Sequence, residues 1–115
     1  MWVYIVTNNL GELCRELGWL DGAEACIAEG LALALQLGDQ ANMQTCLGNA
    51  AYLLRDQQHM QAADAALRDA VQLGQALQMP AQQCEHLYAL AELCLAQGKA
   101  AEALLHTQAA EALAS

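Results

Sequence analysis

Residues Leu10 to Gly30 read LGELCRELGWLDGAEACIAEG, and this pattern returns twice more at a spacing of 40 residues. The shift aligns Leu13 with Leu53 and Leu93, Ala23 with Ala63 and Ala103, and Leu33 with Leu73 and Leu113. It also sets Gly30 beside the equally small Ala70 and Ala110. Each copy holds two amphipathic apolar stripes separated by a turn. A helical hairpin of that kind cannot bury its apolar face alone and must stack on its neighbours. The recurrence points to a stacked binding scaffold and leaves the partner unnamed.

Three hairpins are expected, at about 1–38, 39–79 and 80–115 of a single domain. The first helix should run from about Trp2 to Leu17, with Val6, Leu10, Leu13, Cys14 and Leu17 as its apolar stripe and Gly18 as its stop. Asp21 and Glu24 form a D-x-x-E start signal for the second helix, which carries Ala23, Ile27, Gly30, Leu31 and Leu37 inward and ends at Leu37. Ala23 and Gly30 are small enough to let two helix axes approach closely. Gly38 and Asp39 supply the next stop and cap. Helices from about Gln40 to Gln57 and Gln61 to Gln78 follow, joined by Gln57-Gln58-His59. Pro80, the only proline, opens the third pair, at about Pro80 to Gln97 and Ala101 to Ala114 with Gly98 between.

The composition agrees: Ala and Leu dominate and Phe is absent, so good helix formers fill almost every position outside the turns. The fold class is all-α. Thirteen acidic residues against four basic ones give a net charge of −9, which disfavours nucleic acid and anionic membrane as partners and favours neutral or basic ones. The five cysteines, at positions 14, 26, 46, 84 and 94, lack the paired spacing of a metal knuckle or redox motif and are expected as small buried residues in a reducing cytosol. No stretch has the form of a secretory leader or a membrane span, so a soluble, cytoplasmic protein is expected.

The motif resembles the tetratricopeptide repeat. The resemblance rests on Leu10-Gly11-x-x-Cys14 with Ala23, Ile27 and Gly30; on Ala50-Ala51-x-x-Leu54 with Ala63, Leu67 and Ala70; and on Leu90-Ala91-x-x-Cys94 with Ala103, Thr107 and Ala110. The family's usual Trp is replaced by Thr7, Leu47 and Leu87, its Tyr by Cys14, Leu54 and Cys94, and its closing Pro by Leu35, Gln75 and Ser115. The longer repeat looks like the variant found in bacterial multidomain signalling proteins and regulators. The resemblance implies a right-handed α-solenoid and a non-catalytic protein-interaction module that is a piece of a longer bacterial signalling or regulatory protein.

In such arrays the first helix of each pair lines a concave groove that holds a peptide or partner helix. By position this implies Asn8, Asn9, Glu12, Arg15 and Glu16 from copy one, Asn49, Tyr52, Arg55 and Asp56 from copy two, and Glu85, Tyr88 and Glu92 from copy three. Amides, guanidiniums and phenols at those places suit a peptide backbone, a carboxylate and an apolar contact respectively. The family's clamp for chaperone tails is matched by Asn49 alone; Asn8, Glu12, Glu85 and Ala89 stand at its other places, and the added acids should repel a dicarboxylate.

Chemistry is not expected. Cys84 and His86, two apart on a helix, point to different sides, and the imidazoles are expected on the surface. Glu12 and Glu16 lack a substrate pocket, so neither catalytic residues, nor a metal, nor a cofactor is assigned. Trp2, Val3, Tyr4, Ile5 and Val6 at one end and the Ala/Leu-rich last helix at the other lack polar caps. The alternative function is therefore homo-oligomerisation through the terminal hairpins, and a second alternative is a small-ligand or catalytic helical domain.

Overall fold

Corners at Gly18, Gly38, Gln58, Gln78 and Gly98 divide the chain, each held in the left-handed region with φ between 54° and 78°. The computed structural model describes residues 10–114. Between the corners run α1 (10–16 of the described residues), α2 (Leu20–Leu37), α3 (Gln40–Asp56), α4 (Met60–Ala76), α5 (Pro80–Ala96) and α6 (Ala100–Ala114). The second helices thus start at Leu20, Met60 and Ala100, and two first helices at Gln40 and Pro80, so the sequence period reappears as a structural period of 40 residues.

Every corner closes in the same way. The N–H after the left-handed residue donates to a carbonyl five positions back: Trp19 to Cys14 at 2.7 Å, Asp39 to Ala34 at 2.9 Å, His59 to Leu54 at 2.8 Å, Met79 to Gly74 at 2.9 Å and Lys99 to Cys94 at 2.8 Å. These bonds satisfy carbonyls that a helix end otherwise leaves open. Only one residue then separates the left-handed corner from the next helix. That spacing corrects one start signal. Helix α2 begins at Leu20 with Trp19 as an N-cap that makes no side-chain bond, so Asp21 lies inside the first turn, where it favours the helix dipole without capping. Asp39 does cap α3, accepting from the Asn42 backbone N–H at 3.2 Å, and Pro80 stands at the start of α5.

Each described helix from α2 to α6 packs on its neighbours in chain order, with no strand among the described residues. The molecule measures 39 × 30 × 18 Å, about two helix diameters thick in its thinnest direction. Its main core joins Ala51, Ala63, Leu67, Leu87, Leu90, Leu93 and Ala110, and a second cluster joins Cys14, Ala23, Ile27 and Leu53. The small residues of the repeat motif, including Gly11, Gly30, Ala63, Ala70, Ala103 and Ala110, are all buried. They bring helix surfaces close enough for the Leu and Ile side chains between them to interlock.

Two expected stripes are corrected. On α1 only Gly11 and Cys14 face inward; Leu10, Leu13 and Leu17 are exposed, as is Leu37 at the end of α2. The reason lies in the stacking. Leu53 and Leu93 occupy the same place in their copies as Leu13, and each packs against the second helix of the preceding hairpin. Leu13 has no such neighbour among the described residues. None of the five cysteines is in a disulfide; Cys14, Cys46 and Cys94 are buried and Cys26 and Cys84 half-buried. Among the described residues no helix is long and apolar enough to cross a membrane.

Candidate functional site

The first helices α1, α3 and α5 bring one row of side chains into line: Glu12, Tyr52 and Glu92 share a repeat position, and Arg15 and Arg55 follow one turn later on their helices. With Glu85 and Ala89 from α5 they surround an open groove of about 350 Å³. Ala89 is buried and leaves room above it; a longer side chain there would fill the depression.

Tyr52 is the centre of the site. The guanidinium carbons of Arg15 and Arg55 lie 5.6 Å and 5.3 Å from its ring centroid, within the range at which a cation is attracted to a π face. Both guanidiniums also lean on one carboxylate: Arg15 Nη1 meets Asp56 Oδ2 at 3.2 Å, and Arg55 Nε meets Asp56 Oδ1 at 3.8 Å. The phenol is pushed up to about 12, chiefly by burial and next by the negative charge of Glu85, against a smaller opposing pull from the two arginines. The hydroxyl donates to the Glu85 carboxylate, which adds to the shift. At neutral pH it is a fixed donor.

The charge pattern follows from this geometry. Carboxylates of Glu12, Glu85 and Glu92 outnumber the two guanidiniums that line the groove, and those two are drawn toward Asp56. The groove is therefore a shallow acidic depression with one aromatic ring at its middle. A cationic or amide-bearing segment fits it better than a carboxylate does.

The structure gathers Glu12, Arg15, Tyr52, Arg55, Glu85 and Glu92, six of the residues assigned by position. Asn8 and Asn9 lie outside the described residues. Asn49 and Tyr88 do not line the depression. Tyr88 takes the repeat position of Gly48, which faces the next first helix; nothing among the described residues follows α5 on that side, and Tyr88 is exposed.

Three polar residues on the inner side were not anticipated. Gln44, Gln83 and His86 are buried, so the expectation of surface imidazoles is corrected for His86. The signal was available in Gly48 and Gly74, mid-helix glycines that cost about 1 kcal/mol each against alanine and therefore mark close approach. A Cβ on Gly48 would stand 2.5 Å from His86 Nε2, and one on Gly74 2.5 Å from Gln44 Nε2. Cys84 points the other way, its thiol donating to the Ala110 carbonyl at 3.3 Å, as the spacing required. Among the described residues no three His, Cys, Asp or Glu side chains are grouped as metal ligands.

Comparison of the chain with protein-family models, with characterised proteins and with solved structures returns no match.

Proposed function

We propose that the chain is a non-catalytic, tetratricopeptide-like interaction module that takes a neutral or basic peptide or partner helix in the groove of α1, α3 and α5. The observation that carries this reading is the convergence of Glu12, Tyr52 and Glu92 from three successive copies on one depression, with Glu85 fixing the phenol. A stiff amphipathic ring supplies contact area, and the carboxylates of Glu12, Glu85 and Glu92 supply charge complementarity for Lys or Arg side chains. The motif resemblance supports a place in a cytoplasmic bacterial signalling or regulatory protein.

The test is selection from a random peptide display library, followed by titration of a selected synthetic peptide. We expect enrichment of Lys and Arg, and a loss of at least about tenfold in affinity for Tyr52→Ala and for Glu85→Gln combined with Glu92→Gln. Equal selection by the Tyr52→Ala protein would sink the reading.

A second reading has its own observation. Leu13 is 50% exposed, whereas Leu53 and Leu93 at the same repeat position are 4% and 1% exposed against a preceding hairpin. A second copy of the chain stacked on α1 would supply such a hairpin. This is homo-oligomerisation through the terminal hairpins, and it leaves the groove free.

A further inference from the structure

Behind the groove, α3, α4 and α5 meet in a polar seam inside an otherwise apolar stack. Gln44 is 0% exposed, His86 4% and Gln83 9%. Gly74 on α4 makes room for the first and last of these: a Cβ there would lie 2.5 Å from Gln44 Nε2 and 3.3 Å from Gln83 Cγ. One helical turn further along, Gly48 on α3 makes room for the imidazole on α5. Both amide atoms of Gln44 and Nδ1 of His86 are buried without a hydrogen-bond partner among the described residues. Leaving such groups unpaired forfeits their hydration without return, so a seam of this kind is a weak plane in the stack.

The seam has a direct line to the groove. Gly48, against which the imidazole rests, precedes Tyr52 by one turn on α3, and His86 is the neighbour of Glu85, which holds the Tyr52 hydroxyl. A movement of α5 away from Gly48 carries Glu85 with it. The contact between His86 and Gly48 and the bond between Tyr52 and Glu85 are inner and outer sides of one joint.

We propose that this joint is a pH-sensitive switch: protonation of His86 loosens the packing of α5 on α3 and α4 and opens the groove between the second and third hairpins. An imidazolium donates from both nitrogens and needs acceptors or water for both. Here one nitrogen faces the Gly48 backbone and the other has no partner among the described residues. Against it α3 sets Gly48, and the rest of the seam, the Gln44 and Gln83 side chains around Gly74 of α4, is likewise uncharged. The charged group acting on it is Glu85, on its own helix, and that attraction is outweighed by burial, so its affinity for a proton is lowered. The unfolded chain, with histidine near 6.5, then binds more protons than the fold, and stability present above pH 6.5 falls as the pH drops through that value. The switch stands on the seam alone and is independent of what the groove binds.

The experiment is a histidine titration of the intact chain by NMR, run beside thermal unfolding between pH 7.5 and 5.5. His86 is expected to titrate below the ordinary histidine value of 6.5, and the unfolding midpoint to fall by several degrees over that range. At the acid end, amides of α5 should exchange at least tenfold faster after correction for intrinsic rates. His86→Gln, which carries no titrating group, should lose most of the fall, whereas His59→Gln and His106→Gln should keep it. A His86 midpoint at or above 6.5, or an undiminished fall in a folded His86→Gln protein, overturns the proposal. If that variant does not fold, the wild-type titration and exchange decide.

Discussion

Arg15 and Asp56 stand 41 positions apart in the sequence and meet at 3.2 Å, so a guanidinium from α1 closes on the last residue of α3. The pair links the first two hairpins along the rim of the groove and holds Arg15 over Tyr52. Both side chains keep partial access to water, which limits what the pair adds to stability.

We expect Arg15→Ala and Asp56→Asn each to cost less than about 1 kcal/mol in chemical denaturation, and a double-mutant cycle to give a coupling of about 0.2–1 kcal/mol that shrinks at high salt. The larger effect belongs to the groove, because Asp56→Asn frees two guanidiniums to face outward. Affinity for a basic peptide should fall by more than stability does. A coupling several times larger would mean that the pair is shielded from water in solution.

The corners offer a cleaner gain. Gly18, Gly38 and Gly98 meet the left-handed requirement without a Cβ, but Gln58 and Gln78 meet it at φ 68° and 54° with one. A non-glycine residue there costs roughly 1–2 kcal/mol, part of which glycine returns through its freedom in the unfolded chain. Gln58→Gly and Gln78→Gly should therefore each raise stability by about 0.5–1 kcal/mol, and because the corners are far apart the two gains should add. Calorimetry of both single variants and the double checks this.

How much of this was legible in the sequence depends on which force set each feature. Helices and corners were readable because they follow local rules: Gly38 stops a helix, Asp39 caps one, Pro80 opens one, and the three copies repeat the plan. The row of Glu12, Tyr52 and Glu92 was readable because repeat position fixes helix face. Leu13 was not, because its face was right for packing and only the described neighbours decide whether anything covers it. Asp21 failed because a five-residue backward bond at the Gly18 corner made Trp19 the cap and started the helix two residues early. Gln44, Gln83 and His86 failed because burial of a polar side chain depends on the glycine opposite it, which is a pairwise property that no single helix pattern records.

Gly48→Ala sets two effects against each other. Alanine gains about 1 kcal/mol of helix propensity, but its Cβ would meet His86 Nε2 at 2.5 Å in a closed part of the stack, and overpacking costs about 1–3 kcal/mol. The expected outcome is net destabilisation in a denaturant titration. Adding His86→Ala should reverse most of it, because the second change removes the group being struck. A stabilised Gly48→Ala protein would show that the imidazole moves aside freely.

Tyr52 should be recognisable by alkaline titration. Of the three phenols, at Tyr4, Tyr52 and Tyr88, Tyr52 is expected to ionise near 12, and Glu85→Gln should bring it down by removing a negative charge and the hydrogen bond to a carboxylate. The fold keeps a proton that the unfolded chain loses near 10.0, so stability should decline as pH rises from there toward 12. Ultraviolet absorbance of tyrosinate in the wild type and in Tyr52→Phe assigns the step.

The exposed face of α1 decides between the two functional readings. Leu10, Leu13 and Leu17 recur at helical spacing and are 49%, 50% and 71% exposed, while Leu90 and Leu93, which share repeat positions with the first two, are 1% exposed. If a second copy covers that face, sedimentation equilibrium over a wide concentration range should show a species that dissociates on dilution. Leu13→Glu should then weaken association by at least tenfold, since it puts one carboxylate into an apolar contact on a chain already at −9. The same substitution should leave the groove's peptide affinity nearly unchanged, because Leu13 does not line that depression. A monomer at every concentration would remove the self-association reading and leave the groove as the working surface, whereas association insensitive to Leu13→Glu would place the contact on another face.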